Sequence, residues 1–107
     1  MTTTVTIYGT TYTCTNHWAQ YSNGRPALVF LDAEDKSPVL KASVNLADSP
    51  LRANEMALDN DFAEELGPQL VAQGFLLDGF RTVRPEDSFV AFRIYKLSER
   101  SLKEIAA

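Results

Sequence analysis

Val39-Leu-Lys-Ala-Ser-Val-Asn-Leu46 alternates by side: Leu40, Ala42, Val44 and Leu46 point one way, and Val39, Lys41, Ser43 and Asn45 the other. Successive side chains on a strand face opposite sides of the sheet, so this segment reads as a strand with one buried face. The period then changes. Asp48-Ser-Pro50 offers Ser49 as an N-cap and Pro50 at the first helical position, where its missing N–H costs nothing, and a short helix is predicted there. Residues 61–73 read as the main helix, with Phe62, Leu66, Leu70 and Gln73 at helical spacing. Pro68 would clash with the carbonyl four residues back, so a kink or restart is predicted at that point. Gly74 is the natural stop.

Toward the N-terminus, residues 2–15 hold eight threonines interleaved with Val5, Ile7, Tyr8, Tyr12 and Cys14. β-Branched side chains suit a half-buried pleated surface, and Gly9 divides the run into strands at 3–8 and 11–15. Asn23-Gly24 predicts a type I′ hairpin turn, because both central residues of that turn take positive φ. The apolar run 27–31 is the next strand. Toward the C-terminus, 75–77 and 80–84 are short strands separated by Asp78-Gly79. Residues 88–97 form the longest strand signal, apolar on both faces and therefore central. Ser98 caps a final helix over 99–106, with Leu102 and Ile105 turned inward. The predicted fold class is α+β: a single domain over 1–107, an antiparallel sheet of five or six strands with inserted helices and a C-terminal helix.

Composition narrows the function classes. The chain has 107 residues, 45% of them hydrophobic, enough to bury a core without metal or disulfide staples. A single cysteine, Cys14, excludes an internal disulfide, and a single histidine, His17, argues against a classical zinc site. No cofactor is expected. No stretch approaches the roughly 20 apolar residues of a membrane span, and the N-terminus lacks a basic start and apolar centre. The expected location is therefore the cytoplasm, away from membranes, as a monomer.

The net charge of −4 is uneven. Residues 46–80 carry seven acidic side chains against Arg52 alone, whereas 81–107 carry a small basic excess. A nucleic-acid binder presents a basic stripe to neutralise phosphates, so direct nucleic-acid binding is not expected. An acidic middle instead suits a protein with a basic surface, whose approach it would steer. Asp48, Glu55, Asp59, Asp61, Glu64 and Glu65 are the candidate partner-binding residues. Tyr8, Tyr12, Trp18 and Tyr21 cluster in a nearly uncharged segment and form a secondary candidate interface, since large rings with polar tips are enriched in interfaces.

Catalytic constellations are weak. Cys14 and His17 are three apart on a strand, which places them on opposite faces. Asp61, Glu64 and Glu65 share one helical region and could act as an acid–base set if burial separated their pKa values, but helix start and solubility explain them as well. Asp59-Asn-Asp61 lacks the later glycine and glutamate of an EF-hand loop, and the glycines form no phosphate loop.

Tyr21-Ser-Asn-Gly-Arg25 before an apolar strand, Ser43-Val-Asn-Leu46, Asn54-Glu55, Leu70-x-x-x-Gly74 and the strand ending Ile94-Tyr-Lys-Leu97 together resemble a family of small proteins of phages and other bacterial mobile elements. The resemblance spans residues 12–97. That family is similar to anti-CRISPR proteins, which bind and block RNA-guided effector complexes. The resemblance implies an inhibitor, not an enzyme, that binds a CRISPR effector subunit with a basic groove, type I favoured. It would block target DNA binding partly by acidic competition. The alternatives are a small carboxylate-dependent hydrolase or nucleotide-modifying enzyme, or a mobile-element protein with an unrelated protein partner.

Overall fold

The computed structural model describes residues 2–107, which build two four-stranded antiparallel sheets and two helices. The first sheet runs in chain order: β1 (Thr3–Ile7), β2 (Thr10–Gln20), β3 (Pro26–Asp32) and β4 (Pro38–Lys41). The second holds β5 (Ser43–Val44), β6 (Glu55–Leu58), β7 (Leu76–Val83) and β8 (Phe92–Leu97), in the spatial order β5-β6-β8-β7. Helices α1 (Ala63–Ala72) and α2 (Glu99–Ala106) complete the α+β fold.

The expected single sheet of five or six strands is thus corrected to two sheets, and the division falls inside the alternating segment 39–46. Lys41 pairs with Val29 of β3, whereas Ser43 pairs with Leu58 of β6. Ala42 sits between them, fully buried; its N–H donates to the Leu28 carbonyl (2.9 Å) and its carbonyl accepts from the Asp59 N–H (2.9 Å). Each half of one extended stretch finds a different partner strand, so the stretch changes sheets at its smallest apolar residue.

Local chemistry explains the other departures. The predicted helix at Ser49-Pro50 is absent. Guanidinium groups satisfy that segment's carbonyls instead: Arg25 donates to the carbonyls of Leu46 and Ser49, and Arg81 to that of Pro50. No strand is predicted over residues 55–58, and Glu-Met-Ala-Leu are helix formers; burial of all four residues between β5 and β8 overrides that preference. Tyr8 (φ 51°) and Gly9 (φ 81°) make the turn with two positive φ values, while at Asn23-Gly24 only Gly24 is positive. The latter hairpin is a type I turn closed by Gly24 N–H to Tyr21 O (2.9 Å), followed by a glycine bulge. The two predicted strands at 75–77 and 80–84 are one strand, β7, bulged between Leu76 and Phe80. β8 is central as expected but begins only at Phe92, since its neighbour ends at Val83; Phe89 and Val90 are exposed.

The main core joins both sheets to α1, through Val5, Leu28, Phe30, Leu58, Leu66, Leu70, Phe75 and Leu97 among others. Phe30 and Phe75 meet edge to face at 5.8 Å. α1 runs through Pro68 without a break and ends as expected at Gly74 (φ 82°). Phe75 N–H donates to Leu70 O and Gly74 N–H to Val71 O, the paired bonds of a Schellman stop, with Phe75 and Leu70 both in the core. In α2 the Ser98 cap forms, but Leu102 is exposed; the buried position is Ser101, whose hydroxyl donates to Phe75 O (2.8 Å).

Candidate functional site

Glu65, Gln69 and Gln73 recur every four residues and so share one face of α1. That face lies along the outer edge of β1. Tyr8 N–H donates to Glu65 Oε1 (2.8 Å), Thr6 N–H donates to Gln69 Oε1 (2.8 Å), and Gln69 Nε2 donates back to Thr6 O (2.8 Å). Gln73 Nε2 continues the series to Thr4 O (2.6 Å). Side chains therefore complete the backbone hydrogen bonding that an edge strand leaves open.

This ladder fixes a corner of the molecule. Tyr8 holds a left-handed backbone, its hydroxyl donates to Asp61 O (3.1 Å), and its ring lies 6.1 Å from that of Phe62. Tyr8, Asn60, Asp61, Glu64 and Glu65 line a hollow of about 490 Å3. The structure thus brings one residue of the aromatic set together with three of the acidic set. Asp61 and Glu64 are exposed, and their carboxylates take no hydrogen bond or ion pair among the described residues. Glu65 is committed to Tyr8.

The remaining acidic candidates lie elsewhere or are engaged. Asp48 is exposed on the loop after β5. Asp59 Oδ1 accepts from Asp61 N–H (2.9 Å), shaping the turn into α1. Glu55 is 3% exposed and is not a surface charge. Its two oxygens receive Arg81 Nε (3.0 Å) and Nη2 (2.8 Å), and Oε1 also accepts Arg52 N–H (2.8 Å). The Arg81 hydrogen bonds, helped by Arg52, outweigh burial and hold the Glu55 carboxyl at about 2. Nothing in the local sequence couples residues 55 and 81; the link exists only through β8, which lies between their strands.

The aromatic set is dispersed. Tyr12 is exposed on β2, Trp18 Nε1 donates to Glu104 Oε1 (3.0 Å), and the Tyr21 hydroxyl pairs with Ser43 Oγ (2.9 Å). Trp18 and Tyr21 are half-buried and hold α2 and β5 in place. Burial alone would raise the Glu104 carboxyl, but hydrogen bonds from Asn16, Trp18 and Arg100 together bring it below the usual range. Cys14 is buried on the inner face of β2, where desolvation, with Asp32 adding to it, pushes its thiol up; His17 is exposed on the opposite face. Among the described residues no three His, Cys, Asp or Glu side chains are placed to hold a metal ion. No described helix is long and apolar enough to cross a membrane. No protein-family model, curated protein or solved structure matches the chain.

Proposed function

We propose that the chain is an interaction protein whose Tyr8–Asp61–Glu64 corner docks into a basic groove of a partner protein. The observation that carries this reading is the pairing of two uncommitted carboxylates with an exposed tyrosine on a backbone held by the α1–β1 ladder. A corner that is already ordered costs little conformational entropy on binding. Charges at such a rim act on encounter more than on residence. Following the family resemblance, the partner is a type I CRISPR effector complex of a bacterial host, and the corner competes with target DNA for part of its basic groove. A net charge of −4 is too sparse to mimic a duplex carrying one charge per about 1.7 Å, so the competition is local.

The test is DNA binding by a purified type I effector complex with and without the protein. Inhibition is expected, weakened about tenfold by Asp61→Lys with Glu64→Lys, mainly through slower association, with added salt reproducing part of the loss. Glu65 is left intact because it holds the Tyr8 amide. DNA binding that is indifferent to a stoichiometric excess of the protein overturns the assignment of the partner. Inhibition that ignores both reversals moves the interface away from this corner.

A further inference from the structure

A second hollow, of about 590 Å3, lies between the outer side of α1 and the β7–β8 hairpin. Pro68, Val71 and Phe80 supply apolar walls; Asp78, Arg93 and Tyr95 supply the polar groups. Small-ligand clefts have this make-up, mostly apolar with a few convergent polar atoms.

Two of those polar groups are unspent. Tyr95 is 3% exposed, its ring 5.4 Å from that of Phe80 and packed on Gly67. The Tyr8 and Tyr21 hydroxyls have protein partners, whereas that of Tyr95 has none among the described residues. No fully sealed side-chain polar atom among those residues lacks a partner, so the Tyr95 hydroxyl is not fully sealed, and Tyr95 is among the residues that line the hollow. Arg93 stacks its guanidinium over Phe80 at 4.5 Å from the ring centroid and is absent from the ion pairs, which use Arg81, Arg100 and Lys103. Asp78, on the same hollow, makes no ion pair with Arg93; its Oδ1 accepts the Gly79 N–H (2.9 Å). Arg93 and Tyr95 are two apart on β8, so both project from the same face of the strand.

We propose that this hollow is a binding site for a free small aromatic carboxylate. The carboxylate accepts from the Arg93 guanidinium and the Tyr95 hydroxyl, and the ring lies against Phe80, Pro68 and Val71. Those helical positions span about one turn, the length of a single ring. A cation over an aromatic wall, in no ion pair with a carboxylate, selects an anion; the apolar walls select a flat body on it.

Benzoate titrated into the isotopically labelled full chain, with benzylamine as the cationic control, tests this by NMR. Saturable shifts at Phe80, Arg93 and Tyr95 are expected, with a Kd on the order of 1 mM. Arg93→Gln should weaken benzoate about tenfold, and Tyr95→Phe about threefold. Ala72→Glu, at an exposed position of α1 on the rim of the hollow, should also weaken it and serves if the Arg93 variant fails to fold. The proposal falls if benzoate gives no saturable shift up to about 20 mM. It also falls if benzylamine binds equally well, or if neither Arg93→Gln nor Ala72→Glu changes the affinity.

Discussion

Gly67 occupies the middle of α1 although alanine there would gain about 1 kcal/mol of helix propensity. Its reason is Tyr95: a Cβ at 67 would overlap the Tyr95 hydroxyl and press on the ring carbon bearing it. The ring is buried and packs against Phe80, so moving it aside disturbs that contact. Overpacking of this kind costs about 1–3 kcal/mol, which outweighs the propensity gain. Gly67→Ala should therefore lower the stability measured by urea unfolding, and adding Tyr95→Phe should restore part of it; a stabilised single variant would refute the contact. Gly74 answers to a different constraint. A Cβ there meets only Arg100 Nη1 at 3.6 Å, an ordinary contact, but the backbone is left-handed at φ 82°. Gly74→Ala should cost about 1–2 kcal/mol from conformation alone.

At the scale of elements, α1 is both a core helix and the cover of a sheet edge. Leu66 and Leu70 face the core, while Glu65, Gln69 and Gln73 serve β1. Gln69→Ala removes both hydrogen bonds to Thr6 and should cost about 1–2 kcal/mol. It also reopens an edge strand, so concentration-dependent association in sedimentation is expected for the variant and not for the parent chain. α2 is docked by its start. Ser98 Oγ accepts Ser101 N–H (3.1 Å) and donates to Gly74 O (2.7 Å), tying the cap of α2 to the stop of α1. Ser98→Ala should cost about 1–2 kcal/mol by thermal or urea unfolding, at the upper end because both bonds go.

Across the whole molecule, the loop between β5 and β6 is gripped from both sheets, by Arg25 beside β3 and by Arg81 of β7, with Glu55 anchoring Arg81 from below. Because the Glu55 carboxyl lies at about 2 in the fold, its contribution is present in full above the ordinary carboxylate pKa. It is lost as pH falls from about 4.5 toward 2, when the folded state too must take up the proton. Glu55→Gln should lower stability at pH 7 by about 2–3 kcal/mol, and the gap to the parent chain should narrow at about pH 2.5. A gap that stays constant between the two pH values would mean that the pair does not carry the ionised carboxylate's stability.

Several features were legible from residues close together in the chain. Ser98 as the cap of α2, Gly74 as the stop of α1, the opposite faces of Cys14 and His17 and the apolar two-sided β8 each rest on local hydrogen bonding or on side-chain period, which a short segment expresses by itself. The exposed carboxylates of Asp61 and Glu64 were legible as charge, but that Tyr8 would stand beside them was not, because 53 residues separate the hydroxyl from the carbonyl it reaches. The same holds for β6, where four helix-forming residues become a strand once β5 and β8 offer hydrogen bonds on both sides. It holds for Ser49-Pro50, where distant arginines take the carbonyls a helix would have used. Residues 39–46 show the division most plainly. Alternation determined that Leu40, Ala42 and Leu46 are buried, since that depends on the period of the backbone. It put Ser43 on the open side, whereas the change of sheets buries Ser43 fully, its hydroxyl oxygen accepting the Leu28 N–H and pairing with the Tyr21 hydroxyl. Which sheet each half joins was decided by the strands that arrive from positions 26–32 and 55–58, because a strand's partners are chosen by contacts that its own period cannot encode.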